Sequence, residues 1–147
     1  MSYINLNYHL VFSTKDRRRV IGIDLMPRLR EYVGGIIRDL CGRMLAANGP
    51  EDHIHIAAIL DQKNALMEVL KQVKASSSEW VHSTVGQRDF AWQDGYAAFS
   101  VSHSVMPRVI AYIGRQVEHH KEQTFQEELI EFLRRHEVQY DERYIWA

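Results

Sequence analysis

His53-Ile54-His55 is the sharpest chemical feature of the 147-residue sequence. In a strand, residues i and i+2 share a face. Ile54 and Ile56 then pack inward while His53 and His55 project together from the opposite face. Two imidazoles so placed ligate one divalent cation, or they are two exposed histidines on a solvent-facing sheet. A second feature is Tyr112 with Gln116, four apart and about 40° from each other on one helix face. His119 falls about 20° to the other side of Tyr112. Val109, Ile110, Ile113 and Val117 form the adjoining apolar stripe. By spacing alone Tyr112 reads as a core-rim residue bonded through its hydroxyl, with a nucleophile as the alternative.

Other candidates carry less. Lys15, Arg17, Arg18 and Arg19 are placed to hold backbone phosphates, or form a charged turn at a strand end. Phe90, Trp92, Tyr96 and Phe99 are candidates for stacking on unpaired bases. Alternation instead makes Phe99 core and Trp92 a loop anchor. Cys41, the single cysteine, falls at the end of an amphipathic helix and reads as a buried, inert thiol. No glycine-rich phosphate loop, cysteine zinc site or serine or cysteine triad is present; Ser76-Ser77-Ser78 lacks a nucleophile-elbow context.

Elements to position these residues are legible. Residues 3–12 alternate as a strand, with Leu6, Tyr8, Leu10 and Phe12 on one side and Asn7, His9 and Val11 on the other. Residues 24–42 read as an amphipathic helix with Asp24 as N-cap. A short strand over 43–47, the Asn48-Gly49-Pro50 turn and an antiparallel strand over 53–60 follow. Residues 64–83 are helical, 86–95 a loop, and 96–102 a strand. A helix over about 104–122 has Pro107 in its first turn. Thr124 with Glu127 forms a capping box opening a last helix, whose apolar side is Phe125, Leu129, Phe132 and Leu133. The order β-α-β-β-α-β, then helices, predicts an α+β, ferredoxin-like split antiparallel sheet with two helices on one face. No linker divides it, so residues 1–147 read as one domain.

Composition excludes other classes. With 46% hydrophobic and 25% charged residues, the chain is neither collagen-like nor disordered. No stretch approaches the roughly 18 apolar residues of a membrane span. Residues 1–7 show no signal-peptide pattern, and one cysteine permits no intrachain disulfide, so a cytoplasmic protein is expected. Net charge is −1, which argues against bulk attraction to nucleic acid. The distribution is uneven: residues 15–43 carry eight bases against four acids, and residues 118–147 eight acids against four bases. A basic front still permits local phosphate contacts.

The whole chain resembles the single-tyrosine HUH transposases of the insertion-sequence 200/605 type. The resemblance runs through Tyr8-His9-Leu10-Val11-Phe12-Ser13-Thr14-Lys15, Asp52-His53-Ile54-His55-Ile56 and Trp92-Gln93-Asp94-Gly95-Tyr96. It continues through Tyr112-Ile113-Gly114-Arg115-Gln116, His119-His120 and Thr124-Phe125-Gln126-Glu127-Glu128, and closes on Tyr140 to Trp146. It implies that Tyr112 attacks a DNA phosphate, leaving a 5′-phosphotyrosine and a free 3′-hydroxyl. It implies His53, His55 and Gln116 as ligands of Mg²⁺ or Mn²⁺; two imidazoles with an amide oxygen suit Mn²⁺ at least as well as Mg²⁺. It also implies single-stranded hairpin DNA as partner, and homodimers, many with each active site shared in trans. Two other readings stay open: a non-catalytic nucleic-acid-binding module, and a host-retained processor of repeated genomic hairpins.

Overall fold

Six elements follow the β-α-β-β-α-β order: β1 (Leu6–Ser13), α1 (Leu25–Asp39), β2 (Arg43–Asn48), β3 (His53–Leu60), α2 (Leu66–Trp80) and β4 (Ala97–Ser100). The structure is a computed structural model that describes residues 1–119 and 123–147, the side chain of His119 excepted. The strands form one sheet in the order β2-β3-β1-β4, with every neighbouring pair antiparallel. This is the expected α+β, split β-α-β-β-α-β sheet. β4 is shorter than the expected 96–102, and β1 begins at Leu6 because residues 3–5 lie out in solvent.

Period two sorts the strand residues between two faces. Leu10 and Phe12 of β1 and Ile54, Ile56 and Ala58 of β3 meet Leu29, Val33 and Ile37 of α1 and Leu70 and Val73 of α2. Burying each such Leu or Ile contributes about 1.5–3 kcal/mol. The loop before β4 is pinned to this core: Trp92 Nε1 donates to Ser77 Oγ at 2.9 Å, and Trp92 bridges to Thr14. Phe90, Trp92 and Phe99 are therefore buried and cannot stack on bases, while Tyr96 stays exposed.

The opposite face is covered too, so the histidines do not lie on a solvent-facing sheet. Val11 and Phe99 pack under Phe125, Leu129 and Leu133 of α5 (Phe125–Arg135). Ala57 packs under Met106 and Ile113 of α3 (Met106–Gly114). The expected continuous helix over 104–122 breaks at Arg115, and a short α4 (Gln116–His119) follows; its predicted end lies outside the described residues. Because of that break Val117 leaves the apolar stripe and is 53% exposed.

Ends of the helices differ from expectation in instructive ways. Asp24 stands at the head of α1 with helical dihedrals and makes no capping bond; Gly22 O accepts from Leu25 and Met26 N–H instead. Thr124 does cap α5, its Oγ1 accepting from Glu127 N at 3.2 Å. α2 runs into a single π-type turn, Val81–Val85, that closes on Gly86 at φ 86°. The turn from β2 to β3 needs Gly49, since a Cβ there would fall 2.1 Å from His53 O.

Cys41 corrects the sequence reading, for it is exposed, not buried. Its N–H bonds Arg38 O and the Gly42 N–H bonds Ile37 O, a Schellman ending that places Cys41 at φ 65°. That left-handed turn swings the side chain away from the core. Left-handed backbone costs a residue with a Cβ about 1–2 kcal/mol. Cys41→Gly is therefore expected to stabilise the fold by about 1 kcal/mol after its larger unfolded-state entropy is set against it. Urea unfolding checks this: a midpoint that stays or falls would refute the strain assignment.

Candidate active site

Alternation along β3 turns His53 and His55 away from Ile54 and Ile56, as the spacing required, and both imidazoles are 0% exposed. They are buried because α5 crosses above them, not displayed on an open sheet. Register pairs His53 with Ser13 and His55 with Val11, so His9, two residues before Val11, is the diagonal neighbour of His55. His9 Nε2 lies 2.8 Å from His55 Nδ1. Asp52 Oδ1 lies 2.7 Å from His53 Nδ1.

From above, α5 lowers Glu128 between the two rings. Its Oε1 is 2.9 Å from His55 Nε2 and 3.5 Å from His53 Nε2. Its Oε2 accepts a hydrogen bond from the Tyr112 hydroxyl and another from Gln116 Nε2, at 3.3 Å. Tyr112 and Gln116 therefore converge on one carboxylate oxygen even though the helix is broken between them. The ring of Tyr112 is 5.8 Å from that of His55, centroid to centroid, within a single chain. The turn after β4 sends α3 back over β2 and β3 of its own sheet.

Burial dominates the electrostatics. It pushes His9 down to about 3, helped by the neighbouring His55, so His9 is neutral. Burial also disfavours a charge on His53, but hydrogen bonds to Asp52 and Glu128 outweigh it and hold His53 above its ordinary value. Burial, then the hydrogen bond and charge of Glu128, raise the Tyr112 hydroxyl well above the usual phenol range. Tyr112 is a protonated phenol with its hydrogen aimed at a carboxylate.

Donor chemistry here fits a divalent cation. His53, His55 and Glu128 each offer a ligand atom, all within 4.8 Å of one another. Gln116 is 0% exposed, and among the described residues its Oε1 has no hydrogen-bond partner. A buried oxygen without a donor costs about 1–3 kcal/mol, and a cation would satisfy it. Two imidazole nitrogens with carboxylate and amide oxygens form a mixed set of the kind that Mn²⁺ accepts.

Glu128 and His9 escaped the sequence reading. The signal for Glu128 was present: it lies three residues after Phe125 and four before Phe132, so it sits on the apolar stripe of its own helix. A carboxylate there needs partners. His9 shares the face of Val11, and nothing in a single sequence distinguishes it from an ordinary strand residue.

The basic segment is split by the structure. Arg18 pairs with Asp89 at 2.9 Å, and Lys15 is exposed. Arg17 lies over the Trp146 ring at 5.5 Å. Arg17 and Arg19, with Arg30, line a groove of about 770 Å³ that reaches Asp52 and Phe125 beside the histidines.

Family relationship agrees with the geometry. The sequence profile described as transposase IS200-like matches residues 2–116, and the chain belongs to that family of DNA-processing enzymes. It is 29% identical over 127 residues to the transposases for insertion sequence element IS200 of Salmonella typhimurium and Salmonella typhi, covering 80% of this chain and 80% of each relative. The fold is similar to that of a Deinococcus radiodurans protein assigned as a transposase: TM-score 0.63, 20% identity, 78% of this chain and 93% of that one. It is also similar to a REP-associated tyrosine transposase bound to a REP hairpin: TM-score 0.60, 16% identity, 81% and 72% covered. Glu128 lies beyond the matched stretch. Among the described residues no helix is long and apolar enough to cross a membrane.

A cation bound at His53 Nε2 would displace a proton from that nitrogen, which faces Glu128 Oε1, while Nδ1 keeps its hydrogen towards Asp52. Since the His53 pKa lies above about 6.5, apparent Mn²⁺ affinity is expected to rise with pH through the neutral range, with proton release on binding. Calorimetric titration in buffers of different ionisation enthalpy measures both. Affinity that is flat or falls as pH rises would contradict the ligand role of His53.

Proposed function

We propose that the chain cleaves and rejoins single-stranded DNA through a 5′-phosphotyrosine formed on Tyr112, in a metal-dependent reaction directed by hairpin DNA. The observation that carries this reading is the convergence of Tyr112, His53, His55 and Gln116 on one buried carboxylate, Glu128. His53, His55, Glu128 and Gln116 would hold Mg²⁺ or Mn²⁺, which would supply positive charge against the phosphate oxygens.

The remaining chemistry belongs to the chain. Tyr112 is a weak nucleophile while protonated, and Glu128 Oε2 is the acceptor for its hydrogen. As the phenolic oxygen bonds to phosphorus, its proton passes to Glu128. The P–O3′ bond breaks, its electron pair stays on O3′, and a proton from solvent completes the 3′-hydroxyl. The phosphodiester energy is kept in the tyrosyl ester, so a 3′-hydroxyl can attack it and restore the strand with no nucleotide cofactor. Arg17 and Arg19 in the groove, with Lys15 and Arg18 of the same segment, contact phosphates. Acidic net charge limits that attraction to this region, which favours a short single strand over long duplex.

Likeness to a protein bound to a REP hairpin favours one second reading, a host-retained enzyme acting on repeated genomic hairpins. Its chemistry is the same and only the target differs. A non-catalytic binding module would instead be indifferent to Tyr112.

Incubating the protein with Mn²⁺ or Mg²⁺ and single-stranded oligonucleotides from the flanks of its gene is expected to give a denaturation-resistant protein–DNA adduct. Tyr112→Phe should abolish the adduct at a stability cost on the order of 1 kcal/mol, and Glu128→Gln should slow its formation about 10²–10⁴-fold. Adduct at wild-type yield from Tyr112→Phe would move the nucleophile elsewhere and defeat the reading.

The intrachain contact of Tyr112 with Glu128 and His55 supports a site completed by one chain, even if chains pair. Co-expressed Tyr112→Phe and His55→Ala chains are then expected to give heterodimers without adduct. Adduct at up to half of wild-type capacity would instead assign the sites to trans sharing.

A further inference from the structure

Each imidazole of the histidine pair is held through the nitrogen that faces away from Glu128. His53 Nδ1 lies 2.7 Å from Asp52 Oδ1, and His55 Nδ1 lies 2.8 Å from His9 Nε2. The opposite nitrogens, both Nε2, face Glu128 Oε1 at 3.5 and 2.9 Å. An imidazole binds a cation through a nitrogen that carries no hydrogen, so its other nitrogen is protonated and needs an acceptor. Asp52 Oδ1 and His9 Nε2 stand where those acceptors are required.

We infer that Asp52 and His9 are positioning residues that fix the tautomer and ring orientation of His53 and His55, aiming both Nε2 lone pairs at one cation. The inference rests on the metal-site reading above and adds two residues to it. They come from different places: Asp52 directly precedes β3, and His9 sits on the neighbouring strand β1.

The two supports differ in kind, and their surroundings explain why. Asp52 has a partly exposed side chain, 23% accessible, where a carboxylate keeps some hydration. A carboxylate bonded to a ligand imidazole also raises its basicity. His9 is buried at 3%. Its ring is walled by Phe132, Phe99 and Tyr112, at centroid distances of 5.1, 6.3 and 6.3 Å. A carboxylate at position 9 would set a second buried negative charge close to Glu128, at heavy desolvation cost. A neutral imidazole supplies an acceptor there without charge, and the aromatic walls hold its plane.

The test measures Mn²⁺ affinity by calorimetry on the full chain, with circular dichroism to verify folding. Asp52→Ala and His9→Phe remove the acceptors and should each weaken Mn²⁺ binding about 10–100-fold. Asp52→Asn and His9→Gln keep an acceptor oxygen near the same place and should recover most of the loss. Long-range ¹H–¹⁵N spectra with Mg²⁺ bound give a readout that a merely structural role would not move. Both His53 and His55 should be Nδ1-protonated in the wild type, with that single tautomer lost at His55 in His9→Phe and at His53 in Asp52→Ala. Asp52→Ala leaves intact the backbone carbonyl that accepts Thr14 N, so it carries the test even if His9→Phe does not fold. Wild-type affinity and unchanged tautomers in folded Asp52→Ala would overturn the inference while the metal site stands. A folded wild type that binds no Mn²⁺ would overturn the metal reading, and this inference with it.

Discussion

A carboxylate 2% exposed on a sheet face needs hydrogen-bond donors around it, because burying a charge or an unpaired oxygen costs several kcal/mol. Glu128 draws those donors from three parts of the chain. His53 and His55 come from β3, Tyr112 from α3 and Gln116 from α4, while α5 brings the carboxylate itself. The arrangement makes the candidate active site and the packing of the second sheet face one problem. α5 cannot seat Phe125, Leu129 and Leu133 on Val11 and Phe99 without also placing Glu128 between the histidines.

The C-terminal residues hold α5 in that position. Gln93 accepts from Ser13 N with its Oε1 and donates from its Nε2 to Ala147 O, both at 2.7 Å. The end of the chain is thereby tied to the end of β1. Trp146 lies near Phe125 and under Arg17, so the groove lined by Arg17 and the cap over the histidines adjoin there. The groove and the position of Glu128 thus meet at Trp146 and Phe125.

Charge is arranged to the same end. The chain is acidic overall, yet its bases gather in residues 15–43 and its acids in residues 118–147. One acid of that tail, Glu128, is spent inside, where imidazoles and a phenol surround it. The groove mixes Arg17, Arg19 and Arg30 with Asp16, Glu51 and Asp52, so its charge is local and not an extended field.

Much of this was legible in the linear sequence, because periodicity records which face a residue takes. Alternation in β3 separated Ile54 and Ile56 from His53 and His55, and four-residue spacing joined Tyr112 to Gln116. Thr124 announced the start of α5 through its hydroxyl, a local interaction that needs no tertiary partner. Long-range packing decided the rest. The folding of α3 and α5 over the second face buried both histidines and brought Glu128 to them, while the pairing of β1 with β3 set His9 beside His55. Only the Schellman turn, read in three dimensions, exposed Cys41. These outcomes depend on contacts between residues far apart in sequence, such as His55 with Glu128, 73 positions away. Local period and spacing cannot encode such contacts, for they assign a residue to a face but leave open what covers that face.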